Sequence, residues 1–291
     1  MQRRSFLSLA AAAPLLGLTT PLSEELALPV ELRGGRFFAT PRLATGGLFA
    51  CWLDTDGSGF VFARAVERLS LPTRTSGMSR LAQLPRFDPT HGLPPLVRND
   101  GELPIFDPQD ADAADPILQG FDAQLGGSWF ADRVWRFDFA RAAMSLRLSA
   151  LPAALANAPL AFDGVYPRTT VTVAGETLPM SLDVAASVAL AGGDGTNVSA
   201  TSFVRRSTFE RWHSDHPQWP VQRNVATMPG VDSIVVPEVR AGTAIFSAVS
   251  FTTRPGDDVF EGSGLAGKLG ANAYAARIVT IDYPNARLRV D

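Results

Sequence analysis

Two aspartates, Asp54 and Asp183, end similar stretches of sequence and are the first candidates for chemistry. Residues 46–58 read GGLFACWLDTDGS, and residues 175–187 read GETLPMSLDVAAS. At an offset of 129 residues a glycine, a leucine, the aspartate and a serine recur, and apolar residues alternate before the aspartate. This alternation predicts a half-buried strand that leads to each aspartate. Two carboxylates brought together hold one proton between them, which suits general acid and base catalysis.

A second pair of blocks matches at an offset of 144 residues, where residues 125–146 correspond to residues 269–290. Each block begins with Leu-Gly and predicts a short helical turn, a strand, a tight turn and a returning strand. Both pairs of blocks occur in the same order, with fifteen more residues between them in the second half. This order indicates a duplicated domain. Asp138 and Asp282 recur in the closing hairpins, and we assign them a structural role.

The duplication divides the chain of 291 residues into related halves. We predict a signal peptide at 1–28, an N-terminal lobe at 29–150, an alanine- and proline-rich linker at 151–159 and a C-terminal lobe at 160–291. A composition that is 46% apolar supplies enough residues for a core in each lobe. The 25 glycines and 22 prolines favour many turns and short strands over a helical bundle.

The half-unit resembles that of the pepsin and retropepsin aspartic protease superfamily. Each half has an apolar strand ending in aspartate, then apolar-Gly, a helical turn and a final hairpin, and residues 267–290 are similar to the closing segment of bacterial retropepsin-like domains. The resemblance implies an all-β fold of two pseudo-twofold-related β-barrel-like lobes with short helices. It also implies that the two aspartate loops meet at the floor of a cleft between the lobes.

Carried onto this chain, the resemblance makes Asp54 and Asp183 the catalytic dyad, with Thr55, Ser58 and Ser187 supporting the loops. In this superfamily the ionised aspartate takes a proton from a water, while its protonated partner donates a hydrogen bond to the scissile carbonyl. The implied reaction needs no covalent intermediate, cofactor or metal.

The active-site motifs depart from the family pattern at three positions. The first copy reads Asp-Thr-Asp-Gly, so that Asp56 stands where glycine is usual, and the second has Val184 and Ala185 after its aspartate. Valine cannot make the hydroxyl bond that crosses to the opposite loop in the family. No tyrosine lies where a pepsin-type flap tyrosine is expected, so we expect a residue of the region 87–106 to cover the cleft.

Other interpretations of these residues are weaker. Residues 54–59 also fit a plain hairpin turn or a calcium loop, but Ala65 stands where a calcium loop needs its distal glutamate. We interpret the segment with His213 and His216 as a surface loop without a metal, since a metal site needs more ligands. The single cysteine excludes an internal disulfide, and the absence of a Gly-x-Ser-x-Gly motif disfavours a serine hydrolase.

The first residues predict export. Arg3 and Arg4 precede an apolar stretch at 9–18, which is typical of a twin-arginine signal, or of an ordinary secretory signal with two arginines. We expect a periplasmic or secreted bacterial protein with no membrane contact after signal removal. A net charge of −3 without a basic cluster argues against nucleic acid as a partner.

Two functions follow as hypotheses. The first is an exported aspartic-type endopeptidase that acts on a peptide or protein substrate in the cleft between the lobes, most simply as a monomer. The alternative is a catalytically impaired pepsin-like protein that binds a peptide or protein partner, which Asp56, Val184 and Ala185 favour.

Overall fold

The computed structural model describes residues 24–90, 92–107, 120–192, 197–254, 260 and 262–291. The strands of the first half are β1 (Glu25–Ala27), β2 (Val30–Arg33), β3 (Arg36–Ala39), β4 (Cys51–Leu53), β5 (Phe60–Phe62), β6 (Thr73–Ser76), β7 (Ser79–Gln83), β8 (Glu102–Phe106), β9 (Ala123–Leu125), β10 (Val134–Asp138) and β11 (Ala143–Arg147). The helices of this half are α1 (Ala63–Leu69) and the single turn α2 (Gly127–Phe130).

The second half continues with β12 (Ala158–Pro159), β13 (Ala161–Asp163), β14 (Tyr166–Val173), β15 (Glu176–Asp183), β16 (Ser187–Ala189), β17 (Val198–Ala200), β18 (Ser202–Val204), β19 (Val221–Gln222), β20 (Ser233–Ala241), β21 (Ala244–Thr252), β22 (Gly267–Gly270), β23 (Ile278–Asp282) and β24 (Arg287–Val290). Its helix is α3 (Arg206–Asp215). Short 3-10 turns occupy Asn99–Gly101 and Ala153–Leu155. The structure is mostly β with few short helices, which confirms the predicted all-β class.

Each lobe contains an eight-stranded sheet. The N-terminal sheet has the order β2-β3-β4-β9-β5-β8-β7-β6, and the C-terminal sheet has the order β13-β14-β15-β22-β18-β21-β20-β19 with a further β14–β20 pairing. In both sheets the strand that leads to the aspartate lies parallel to the strand of the apolar-Gly motif, β4 to β9 and β15 to β22. Both sheets are barrel-like, as the resemblance implies.

A six-stranded sheet of order β1-β11-β10-β23-β24-β12 joins the lobes. Its central strands β10 and β23, one from each closing hairpin, pair in antiparallel fashion along their full length. The two hairpins are therefore related by an approximate twofold axis. Asp138 accepts a hydrogen bond from Arg141 N in the first hairpin turn, and Asp282 accepts one from Asn285 N in the second. Both aspartates thus stabilise turns, as predicted.

The strand that leads to Asp54 is buried on both faces, whereas the sequence pattern predicted burial on one. Cys51 and Leu53 belong to the main core, and Trp52 packs in a separate aromatic cluster with Phe38 and Phe62. The alternation is real, but the second face is covered by aromatic rings instead of water. Such rings bury large apolar areas and stabilise the strand from its outer side.

The histidine segment is a correction to the sequence analysis. His213 lies on helix α3 and not in a loop, because Phe209 and Trp212, three residues apart, turn the same helix face into the core. His216 follows the end of the helix and stacks on Trp219, with the ring centroids 4.1 Å apart. His213 is therefore part of a helix that packs on the core, and His216 packs against an aromatic ring.

The predicted signal peptide at 1–28 lies mostly outside the described residues, which begin at residue 24. Within the predicted signal, Glu25–Ala27 form strand β1 and pair with β11. Across the described part of the chain, helices are too short and too polar to cross a membrane.

Candidate active site

Asp54 directly follows β4, and its backbone nitrogen donates a hydrogen bond to Leu125 O on the neighbouring strand. Its carboxylate accepts two hydrogen bonds. Oδ1 accepts from the backbone nitrogen of Asp56 at 3.0 Å, and Oδ2 accepts from Nε2 of Gln124 at 2.9 Å. The backbone turn and the neighbouring strand together hold this carboxylate in one orientation.

Asp183 occupies the matching place in the C-terminal lobe, as the last residue of β15. Oδ1 accepts from the backbone nitrogen of Ala185 at 2.9 Å, and Oδ2 lies 3.5 Å from Nζ of Lys268. Each aspartate thus bonds the amide two residues later through Oδ1 and a side chain of the adjacent parallel strand through Oδ2. Both aspartates line the same cleft.

Gln124 and Lys268 are site residues that the sequence analysis missed. Gln124 pairs with Trp52 in the register of β4 and β9, and Lys268 pairs with Ser181 in the register of β15 and β22. They lie 144 residues apart, which is the offset of the second repeat, and each immediately precedes its Leu-Gly motif. A polar residue at this position of two otherwise apolar strands was the available signal.

Asp56, which replaces the usual glycine, points across to the C-terminal lobe. Its Oδ2 lies 2.7 Å from Nζ of Lys268 and accepts a hydrogen bond from Oγ of Ser181 at 3.0 Å. The side chain of Lys268 is 16% exposed and that of Asp56 is 10% exposed, so the ion pair is largely withdrawn from water. The extra carboxylate is therefore paired with a cation, which it shares with Asp183.

Burial and charge shift the protonation of this cluster. Desolvation at the cleft floor, followed by the charge of Asp183, raises the pKa of Asp54 to about 8, with Lys268 opposing. Burial also raises the pKa of Asp56, and Lys268 offsets part of that rise. Burial opposes the charge on Lys268, but the carboxylates of Asp183 and Asp56 outweigh it and hold the pKa of the ammonium above its ordinary value.

Thr55 links the two lobes. Its hydroxyl donates to Leu182 O at 2.7 Å and accepts from the backbone nitrogen of Val184 at 3.2 Å. The hydroxyl therefore crosses to the opposite loop as the resemblance implies, whereas Val184 supplies no hydroxyl in return.

Ser58 and Ser187, which were predicted to support the aspartate loops, make no hydrogen bond to either carboxylate among the residues that the structure describes. Ser58 is exposed, and the hydroxyl of Ser187 is buried with no hydrogen-bond partner in the described part of the protein. Gln124 and Lys268 take over the contact with the aspartates. Gly57 makes the contact between Gln124 and Asp54 possible, because a Cβ at position 57 would lie 2.5 Å from Oε1 of Gln124.

The cleft has a volume of about 410 Å³ and lies mainly against the C-terminal lobe. Its walls combine apolar residues, among them Ala186, Val188 and Val231, with polar and charged ones. Arg254 also lines the cleft, stacks its guanidinium 5.1 Å from the ring centre of Phe203 and has no ion-pair partner within the described ranges. In the described chain, no group of three or more histidine, cysteine or acidic residues could hold a metal ion.

The expected flap is another correction. Within the described part of 87–106, no residue lines the cleft. Phe87 instead packs edge-on against Phe49, and Phe106 packs against Phe60 in the aromatic cluster. Phe106 belongs to the N-terminal lobe because its strand, β8, lies inside that lobe's sheet, and Phe87 packs on Phe49 of the same lobe.

Comparison with solved structures identifies the fold. The chain resembles conglutin gamma, a basic 7S globulin from lupine seeds, with a TM-score of 0.50 and 11% identity over 92% of this chain and 94% of that chain. Basic 7S globulin from soybean and the protein EDGP align with TM-scores of 0.48, at 11% and 8% identity, over 91% and 92% of this chain and 94% of each of those chains. No family model and no curated protein sequence matches this chain. The likeness to conglutin gamma establishes the pepsin-like fold.

Proposed function

We propose that this protein is an aspartic-type endopeptidase, with Asp54 and Asp183 as its catalytic dyad. One observation carries the proposal. Two carboxylates from equivalent loops line one cleft, and each is oriented by the amide two residues later and by a side chain of the adjacent strand. Buried networks of this kind hold reacting groups in place before substrate arrives.

The protonation pattern supports different roles for the two aspartates. A pKa of about 8 keeps Asp54 protonated at neutral pH, while Asp183 faces the ammonium of Lys268. Asp183 would accept a proton from a water, whose oxygen then attacks the scissile carbonyl carbon, while Asp54 would donate its proton to the carbonyl oxygen. The resulting tetrahedral intermediate collapses when the leaving nitrogen takes a proton from Asp183 and Asp54 recovers its own. In the net reaction, the hydroxyl of the water is added to the carbonyl carbon and its other hydrogen to the leaving nitrogen.

The cleft suits a peptide in extended conformation. The apolar residues of its walls can accept aliphatic side chains, and Arg254 offers a guanidinium that can pair with a carboxylate. The proposal includes a monomeric protein exported to the bacterial periplasm by a twin-arginine-like signal.

A second candidate is a peptide-binding protein without efficient catalysis. The observation that favours it is the ammonium of Lys268, 3.5 Å from Asp183, since a fixed cation makes a carboxylate a weaker base. Val184 also removes one of the two bonds that would cross between the loops.

Cleavage of a mixed peptide library from pH 3 to pH 8 tests the proposal. We expect cleavage by the wild type, a loss of at least about 100-fold in both Asp54→Asn and Asp183→Asn, and no change in Asp215→Asn, which alters an exposed aspartate at the end of α3. Cleavage that persists in both dyad variants would overturn the catalytic assignment. Binding of library peptides without cleavage would favour the second candidate.

A further inference from the structure

The two halves of the site differ at the position that immediately precedes each Leu-Gly motif. Gln124 donates to Asp54 from one strand and Lys268 faces Asp183 from the matching strand, so a neutral amide stands on one side of the dyad and a cation on the other. The surrounding backbone contacts of the two aspartates are the same. The side chain at this position therefore makes the direct surroundings of the two carboxylates asymmetric.

Two carboxylates lie against the ammonium of Lys268, and a third is farther away. Asp56 lies at 2.7 Å and Asp183 at 3.5 Å, and the charge of Asp54 also acts on it. The other charged or titratable groups near the cluster are Tyr166, Tyr274 and Tyr283, whose pKa values are raised by burial and by the cluster's negative charge, and Arg36 and Arg254, which line the same cleft.

The charges add up to the value that an aspartic dyad needs. Asp56 brings one negative charge and Lys268 one positive charge, so the pair together leaves the net charge of the site unchanged. The dyad then carries one proton and one negative charge, as it would with glycine at position 56 and no lysine. Lys268 thus compensates for the carboxylate that breaks the Asp-Thr-Gly pattern.

Coulomb attraction also decides which aspartate holds the proton. An ammonium at 3.5 Å from one carboxylate stabilises the ionised form of that group more than the ionised form of its more distant partner. Gln124 provides no such charge to Asp54. In a symmetric dyad the proton would be shared without preference.

We propose that Lys268 is the positioning residue that fixes the roles of the dyad, keeping Asp183 ionised as the base and leaving the proton on Asp54 as the acid. This assignment rests on the proposed peptidase function for its catalytic meaning. The protonation states that it predicts for Asp54 and Asp183 can be measured without any substrate.

Carbon-13 NMR titration of the aspartate side-chain carboxyls tests the assignment. Signals of Asp54 and Asp183 are identified from the Asp→Asn variants, and the titration is compared between the wild type and Lys268→Gln, which makes the two positions equivalent. We expect Asp183 to be ionised and Asp54 protonated at pH 6 in the wild type. In Lys268→Gln, the midpoint of Asp183 should rise by about one pH unit or more.

A second variant keeps the test valid if Lys268→Gln does not fold. The double variant Asp56→Gly, Lys268→Gln removes both charges together and restores the family pattern at position 56. We expect it to fold and to show an upward shift of Asp183 that is smaller than in Lys268→Gln, because the carboxylate of Asp56 is removed together with the ammonium. An unchanged Asp183 midpoint in a folded variant, or a proton on Asp183 in the wild type, would overturn the assignment.

The pH profile of peptide cleavage separates the two proposals. If the wild type cleaves peptides, the loss of Lys268 should move the acid limb of kcat upward in pH along with the midpoint of Asp183. A shifted NMR titration in a protein that cleaves nothing rejects the peptidase and retains the electrostatic role of Lys268. Cleavage with unshifted titration retains the peptidase and rejects the role.

Discussion

Thr55 of the N-terminal lobe donates its hydroxyl proton to Leu182 O of the C-terminal lobe across 2.7 Å, and nothing in the opposite loop returns the bond by a side chain. Both groups are fully buried. In a two-lobed cleft, such a bond helps to set the separation of the aspartate loops, together with the contacts that Asp56 makes with Ser181 and Lys268.

Replacing Thr55 should loosen the contact between the aspartate loops. Thr55→Val would leave Leu182 O and the Val184 amide buried without their partner, at a cost of about 2 to 4 kcal/mol in the free energy of unfolding. Thr55→Ser keeps the hydroxyl and should lose about 1 kcal/mol. Denaturant unfolding of the two variants checks this. A loss in Thr55→Val no larger than that in Thr55→Ser would show that the hydroxyl bonds contribute no more to stability than the methyl group does.

The raised pKa of Asp54 predicts a specific pH dependence of stability. Asp54 has a pKa of about 8 in the folded state against a reference of 3.8, so between these values the folded protein holds a proton that the unfolded chain has released. Its contribution to stability is complete below pH 4 and falls as pH rises, by up to about 1.4 kcal/mol per unit. Asp54→Asn should therefore gain stability relative to the wild type from pH 5 to pH 8. A difference that stays flat across this range would contradict the prediction, and Asp215→Asn serves as the control.

Gly57 should matter through the space that it leaves for Gln124. In Gly57→Ala, the new Cβ would lie 2.5 Å from Oε1 and 2.7 Å from Nε2 of that amide and would displace it from Asp54. We expect a loss of about tenfold in kcat/KM, similar to that of Gln124→Leu, since the hydrogen bond that orients Asp54 is worth about 1 to 1.5 kcal/mol.

A double-mutant cycle separates this effect from general damage. If both changes act by breaking the same bond, the double variant should be no worse than either single variant. Losses that add up would mean that Gly57 acts by another route.

Arg254 should set a preference for acidic substrates. Its guanidinium lines the cleft without an ion-pair partner among the residues described, so a peptide carboxylate could bond it directly. We expect Arg254→Gln to weaken binding of glutamate-containing peptides to the Asp183→Asn protein by about tenfold, and to leave the matching glutamine peptides unaffected. Arg211→Gln, on the exposed face of α3, is the control. An equal loss for both peptide sets would reject the preference.

Much of the fold could be predicted from the sequence because the duplication is visible as two constant residue offsets between the halves. The offset of 144 relates strands β10 and β23, which pair at the centre of the sheet between the lobes, and the offset of 129 relates β4 to the end of β15. The fifteen extra residues of the second half include most of the hairpin β16–β17, whose first strand lines the cleft. The structural role of Asp138 and Asp282 in their hairpin turns could also be predicted, since it depends on residues that are neighbours in the sequence.

The flap and the histidine segment could not be predicted in the same way. Whether residues 87–106 face the cleft or the aromatic cluster depends on which sheet takes up β8, a choice made by contacts with distant strands. Helix α3 was not predicted from the sequence, because prolines follow it closely. Its buried face is also short, and its polar residues are of types that are common in loops.

The sequence by itself determined the two-lobed all-β architecture and the two aspartates at equivalent loop positions, because strand alternation and repeat spacing are local properties. Only the tertiary structure decided what surrounds those aspartates. The pairing of parallel strands brings Gln124 to Asp54 and Lys268 to Asp183, and the meeting of the lobes turns Asp56 from an isolated carboxylate into half of an ion pair. These contacts join residues 70 to 212 positions apart, and the charge of each group depends on its burial and on neighbours that the order of residues does not reveal.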